Sequence, residues 1–136
     1  MYITRFAEQH IKRGLGSSKV LILLGARQVG KTTLIQHVIS GTHTVILNFD
    51  IDVDKDRFFA AASLPPLDAL KSFSNPDILV LDEIQRKPET SRVIKGWYDA
   101  HVPVKIVLLG SSSIDIVRHT AESLTGRNEK ITLPPL

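Results

Sequence analysis

Four stretches of this chain hold residue types suited to chemistry on a phosphate. The first, Gly25-Ala26-Arg27-Gln28-Val29-Gly30-Lys31-Thr32-Thr33, has the spacing G-x-x-x-x-G-K-[ST] of a phosphate-binding loop. Gly25 and Gly30 let successive N–H groups turn toward one anion and approach it closely. Lys31 is placed to reach β- and γ-phosphates as a point charge, and the Thr32 hydroxyl to ligate Mg²⁺. In the second stretch, Asp82-Glu83 follows an apolar run. Asp82 suits a Mg²⁺ ion, held directly or through water, and Glu83 suits a base that polarises the attacking water. In the third, Ser111 follows Gly110 and precedes Ser112 and Ser113. Its hydroxyl can hydrogen-bond a γ-phosphate or the lytic water, and the same serines suit the N-cap of a following helix at 114–122. The fourth is Arg127 after Gly126. It reads either as a cation for the γ-phosphate, in its own subunit or a neighbour's, or as a solvated surface arginine.

These residues need elements to position them. Val20 to Leu24 is an unbroken apolar run, as in a strand buried on both faces, and Leu34, Ile35 and Val38 recur at helical spacing after the loop. Strand, loop and helix thus follow in the order that points a helix N-terminus at an anion. A second strand is expected at 44–49, a third through 78–81 ending in Asp82-Glu83, a fourth at 102–109 and a last at 131–133, with a right-handed crossover and a mainly parallel sheet. Helices are expected at 1–13, 58–63, 67–73 and 88–101, with residues 14–18 as a break before the first strand. Asp50, Asp52, Asp54 and Asp56 alternate with other residues like a calcium loop, but Lys55 stands where that loop needs Gly, and Ala61 where it needs Glu. They read as solvated acidic residues leaving the second strand. Trp97 and Tyr98 read as packing residues in preference to an adenine stack.

Composition bounds the class. The chain has 136 residues, 43% of them hydrophobic and 23% charged, which is ordinary for one globular domain. A formal charge of +3 fits phosphate-rich ligands, and the scattered Lys and Arg residues give no nucleic-acid signature. With no cysteine, disulfides, thiolate metal sites and cysteine nucleophiles are excluded, and a cytoplasmic setting is expected. No apolar run reaches membrane-spanning length, and Glu8 and His10 interrupt any leader-like stretch, so no membrane partner is expected.

On the loop Gly25 to Thr33, on Leu81-Asp82-Glu83-Ile84-Gln85, on Leu109-Gly110-Ser111-Ser112-Ser113 and on Glu122-Ser123-Leu124-Thr125-Gly126-Arg127, the chain resembles the AAA+-like P-loop ATPases. Within them it is similar to a prokaryotic group whose N-terminal ATPase domain precedes a further C-terminal domain. Ala26 stands where that group would have proline. The resemblance covers nearly the whole chain. It implies a three-layer α/β fold of the AAA+/RecA type with a mainly parallel sheet flanked by helices. It also implies ATP and Mg²⁺ as ligands, Arg127 as the motif arginine, and a protein partner or attached C-terminal domain as the object of hydrolysis. Residues 1–136 then form a single ATPase domain, with 1–18 as N-terminal helix and linker and 19–133 as the nucleotide-binding core. From the resemblance, the family's C-terminal domain is expected to be missing here, as in a natural short form or an excised domain. Two other functions share these motifs: a nucleotide-gated binding module with little turnover, and a nucleic-acid motor. A GTPase is disfavoured by the lack of N-K-x-D, and a small-molecule kinase by the lack of an arginine-rich lid.

Overall fold

Val20-Leu21-Ile22-Leu23-Leu24 is apolar at every position because the strand it forms is covered on both faces. In a computed structural model, which describes residues 2–25, 30–111 and 124–133, this strand (β1, Val20–Leu24) lies inside a five-stranded sheet. The others are β2 (Thr44–Asn48), β3 (Ile78–Asp82), β4 (Lys105–Gly110) and β5 (Asn128–Thr132), and the spatial order is β2-β3-β4-β1-β5. Each adjacent pair is parallel, so all carboxyl ends share one edge. The fold is therefore the three-layer α/β arrangement that the sequence implies.

Side-chain alternation sorts the core into two layers. Leu21 and Leu23 point to the face covered by α1 (Tyr2–Leu15) and α2 (Lys31–Val38), where Ala7, Ile11 and Ile35 are buried with Val80 and Val107. Val20, Ile22 and Leu24 point to the face covered by α3 (Asp52–Ala62), α4 (Pro66–Ser72) and α5 (Thr90–Asp99). There Phe58 sits among Phe49, Phe59 and Trp97, with ring centroids 5.5, 5.1 and 5.6 Å away. Phe58 is fully buried, and its truncation to alanine is expected to destabilise the fold by about 3–5 kcal/mol in urea titration.

Several boundaries differ from the sequence reading. α1 continues through Gly14 to Leu15, and a Cβ on Gly14 would lie 2.6 Å from the Leu21 side chain, so the glycine permits close helix–strand approach where a chain break was expected. α3 begins at Asp52, six residues before the expected helix, because Asp52 and Asp54 favour the positive end of a helix dipole. The alternating aspartates are thus mostly its first turns. β4 starts at Lys105, after Pro103, and β5 starts at Asn128. That strand was read too short because Asn128, Glu129 and Lys130 give it a polar edge-strand character. No helix among the described residues is long and apolar enough to cross a membrane.

Candidate functional site at the carboxyl edge of the sheet

The loop leaves β1 at Gly25, whose N–H donates to the Gly110 carbonyl at the end of β4 at 3.2 Å. It returns at Gly30, the N-cap of α2, with φ 71° and ψ 37°. That left-handed geometry is the reason a glycine stands there, because the space around its missing Cβ is open. Lys31 begins α2 with its Nζ donating to the Gly25 carbonyl at 3.1 Å, so its side chain spans the loop from end to end. It is only 5% exposed, and a buried ammonium requires such polar partners. Thr33, two residues further, faces solvent. Ala26, Arg27, Gln28 and Val29 lie outside the described residues.

The second motif arrives from β3. The Thr32 hydroxyl donates to Asp82 Oδ2 at 2.5 Å across fifty residues of sequence. Asp82 Oδ1 accepts from the Glu83 N–H at 2.8 Å, so both carboxylate oxygens of this 6%-exposed side chain are engaged. A hydroxyl and a carboxylate oxygen side by side are hard oxygen donors that could hold Mg²⁺. That ion commonly takes one or two protein ligands and fills its octahedron with water and phosphate oxygens.

Glu83 has φ 57° and ψ 43°, left-handed backbone at a residue with a Cβ. The conformation costs about 1–2 kcal/mol and is held in place by the turn on its carboxyl side. Residues Ile84–Arg86 form this 3₁₀ turn, in which Ile84 is buried in the core and Arg86 Nε donates to Asp50 Oδ1 at 2.6 Å. Between them Gln85 Nε2 donates to Glu83 Oε2, and Gln85 Oε1 accepts from the Ser111 N–H at 3.4 Å. Ser111 is therefore at the tip of β4, beside the turn carrying Glu83. Its alternative as an N-cap concerns residues 112–123, which lie outside the described residues.

The structure brings together Gly25, Gly30, Lys31, Thr32, Asp82, Glu83 and Ser111, and it leaves Arg127 apart. The Arg127 carbonyl accepts from the Val20 N–H at 2.8 Å, at the amino end of β1. Five strand residues, each rising about 3.3 Å, separate that end from Gly25. Its guanidinium donates to Asp99 at 2.7 and 3.2 Å and to the Thr125 carbonyl at 3.0 Å. The pair holds the Asp99 carboxyl below the usual carboxylate range and raises the guanidinium. Of the placements left open for Arg127, the loop of its own subunit lies at the opposite edge of the sheet, since parallel pairing of β5 with β1 carries this residue to the amino end of β1. Trp97 and Tyr98 also lie at that edge. They line a cavity of about 440 Å³ with Lys105, whose ammonium burial pushes below its usual range. Sequence reasoning missed Gln85 as a site residue, since its two contacts join a turn to a strand tip that lies 26 residues away in the chain.

A model of the AAA domain matches residues 17–136. The chain belongs to the AAA domain family. Its match therefore begins within the link from α1 to β1 and includes all the motifs above. An uncharacterised protein of Mycobacterium tuberculosis is 34% identical over 133 residues, which are 97% of this chain and 29% of that protein. This AAA domain thus spans less than a third of the length of the curated relatives it matches. Among solved structures, the Aeropyrum pernix Orc1 protein in complex with DNA is similar with a TM-score of 0.68 and 16% identity, over 97% of this chain and 45% of that one. Drosophila ORC bound to GC-rich DNA and Cdc6 is similar with a TM-score of 0.61 and 12% identity, over 99% and 57%. These two likenesses concern the fold alone.

Proposed function

We propose that this AAA domain binds ATP with Mg²⁺ and hydrolyses it, coupling turnover to a protein partner or to a domain within the additional length that its relatives possess. The observation that carries this reading is the Thr32 hydroxyl on the Asp82 carboxylate at 2.5 Å, directly beside the phosphate-loop lysine. Gly25 opens the phosphate loop with its N–H on the Gly110 carbonyl, and the N–H groups that follow, from Ala26 through Arg27, Gln28, Val29, Gly30, Lys31 and Thr32 to Thr33, serve the phosphates together with the start of α2. Lys31 binds the β- and γ-phosphates, Thr32 and Asp82 hold Mg²⁺, and Glu83 takes a proton from the attacking water. Bound Mg²⁺ would supply charge neutralisation on the phosphate oxygens. Ser111 senses the γ-phosphate. Arg127 acts on the nucleotide of a neighbouring copy, a role that suits its distance from its own loop. Residues 1–18 act as helix and linker to a core at 19–133, in a cytoplasmic protein.

The pairing of Arg127 with Asp99 favours a second reading, a nucleotide-gated binding module in which a lone subunit binds ATP and turns it over slowly. The test is phosphate release with Mg²⁺–ATP together with thermal melting. Nucleotide at about a hundredfold over Kd should add about 2.7 kcal/mol of stability. Absence of any nucleotide-dependent shift would overturn both readings, and a shift without turnover at any protein concentration would leave only the second. Stimulation of turnover by single- or double-stranded DNA would instead point to a nucleic-acid motor.

A further inference from the structure

Gln85 links the turn carrying Glu83 to the tip of β4. Its carboxamide is oriented unambiguously: a carboxylate only accepts and a backbone N–H only donates, so Nε2 must face Glu83 and Oε1 must face Ser111. Glycine at residue 110 gives this amide room. A Cβ there would lie 3.2 Å from Gln85 Oε1 and 3.0 Å from Ile84 Cγ1. The turn bearing Gln85 is fixed on one side by buried Ile84 and on the other by the Arg86–Asp50 pair.

We propose that Gln85 is a positioning residue that ties the carboxylate of Glu83 to the tip of β4, so that displacement of Ser111 by a γ-phosphate is transmitted to the base. This rests on the ATPase reading above. Gln85 touches no reacting atom; it acts through Glu83, as a third group orients the base in other activated sites.

The experiment compares kcat and KM for ATP in the purified protein, in Gln85→Met, in Glu83→Gln and in the double variant. Methionine preserves length and volume while removing both hydrogen bonds. Expected is a kcat about 10- to 100-fold lower in Gln85→Met, with KM and melting temperature unchanged. The double variant should be no slower than Glu83→Gln alone, because a residue that works through Glu83 has nothing to orient once the base is gone. Unchanged kcat in Gln85→Met overturns the proposal, as do losses that multiply in the double variant. A fall in melting temperature with a parallel rise in KM assigns Gln85 a purely structural role and also overturns it. Gln85→Glu, which keeps the shape but sets carboxylate against carboxylate, should lower kcat at least as far, and full activity in it is a further overturning result. An unsubstituted protein that releases no phosphate fails the ATPase reading and takes this proposal with it. An active protein indifferent to Gln85 fails the proposal alone.

Discussion

Replacing Glu83 by glutamine is expected to slow phosphate release from ATP by about 10²–10⁴-fold while nucleotide binding persists. The substitution keeps the shape and removes the carboxylate proposed to accept the proton. The Asp82 carboxylate and the Glu83 N–H that it accepts are untouched by a change at the far end of the side chain, so the Thr32–Asp82 pair remains assembled. Glutamine can still meet Gln85 through its own carbonyl, which keeps the turn in place. Single-turnover phosphate release and nucleotide titration on the same preparation separate the two effects. Equal hydrolysis rates in the two proteins would remove Glu83 from the role of base, and loss of binding would show that it holds the nucleotide.

Lys31→Met should have its largest effect on affinity. The ammonium is nearly excluded from solvent at the start of α2 and bonded to the Gly25 carbonyl, so any phosphate brought to the loop meets a cation already stripped of most of its water. Truncating one partner of a desolvated charge pair costs about 2–5 kcal/mol, which at about 1.4 kcal/mol per decade is about 30- to 4,000-fold in Kd. Titration of labelled ATP gives the value. The nucleotide-free protein should melt near the wild-type temperature, because methionine fills the same volume and leaves no buried charge. A Kd within threefold of wild type would deny Lys31 its place at the phosphates.

Sequence carried the centre of this molecule further than its margins. β1, the glycine-flanked loop and α2 are local: an apolar run, a turn and a helical period lie within twenty residues and need no distant partner to be recognised. β3 is equally plain, because a strand buried on both faces must be apolar and its carboxyl end must carry whatever the edge requires. Harder features depend on pairing across the chain. β5 presents charged residues to an edge and is a strand because Asn128–Thr132 lie in register with Val20–Leu24. Arg127 carried the right residue type for phosphate chemistry, yet that register sets it against Asp99. The helix at Asp52 was hidden by counting apolar residues where the charge of the first turn mattered more. Gln85 was invisible for a similar reason, since its value lies in reaching Ser111 on another strand.

The left-handed backbone of Glu83 sets a conflict between endurance and work. A glycine there would adopt φ 57° without steric cost, so Glu83→Gly relaxes a strained residue while deleting the carboxylate. On this reading the protein is held short of its own stability optimum at that point, and a screen rewarding thermal resistance alone would discard the proposed base first.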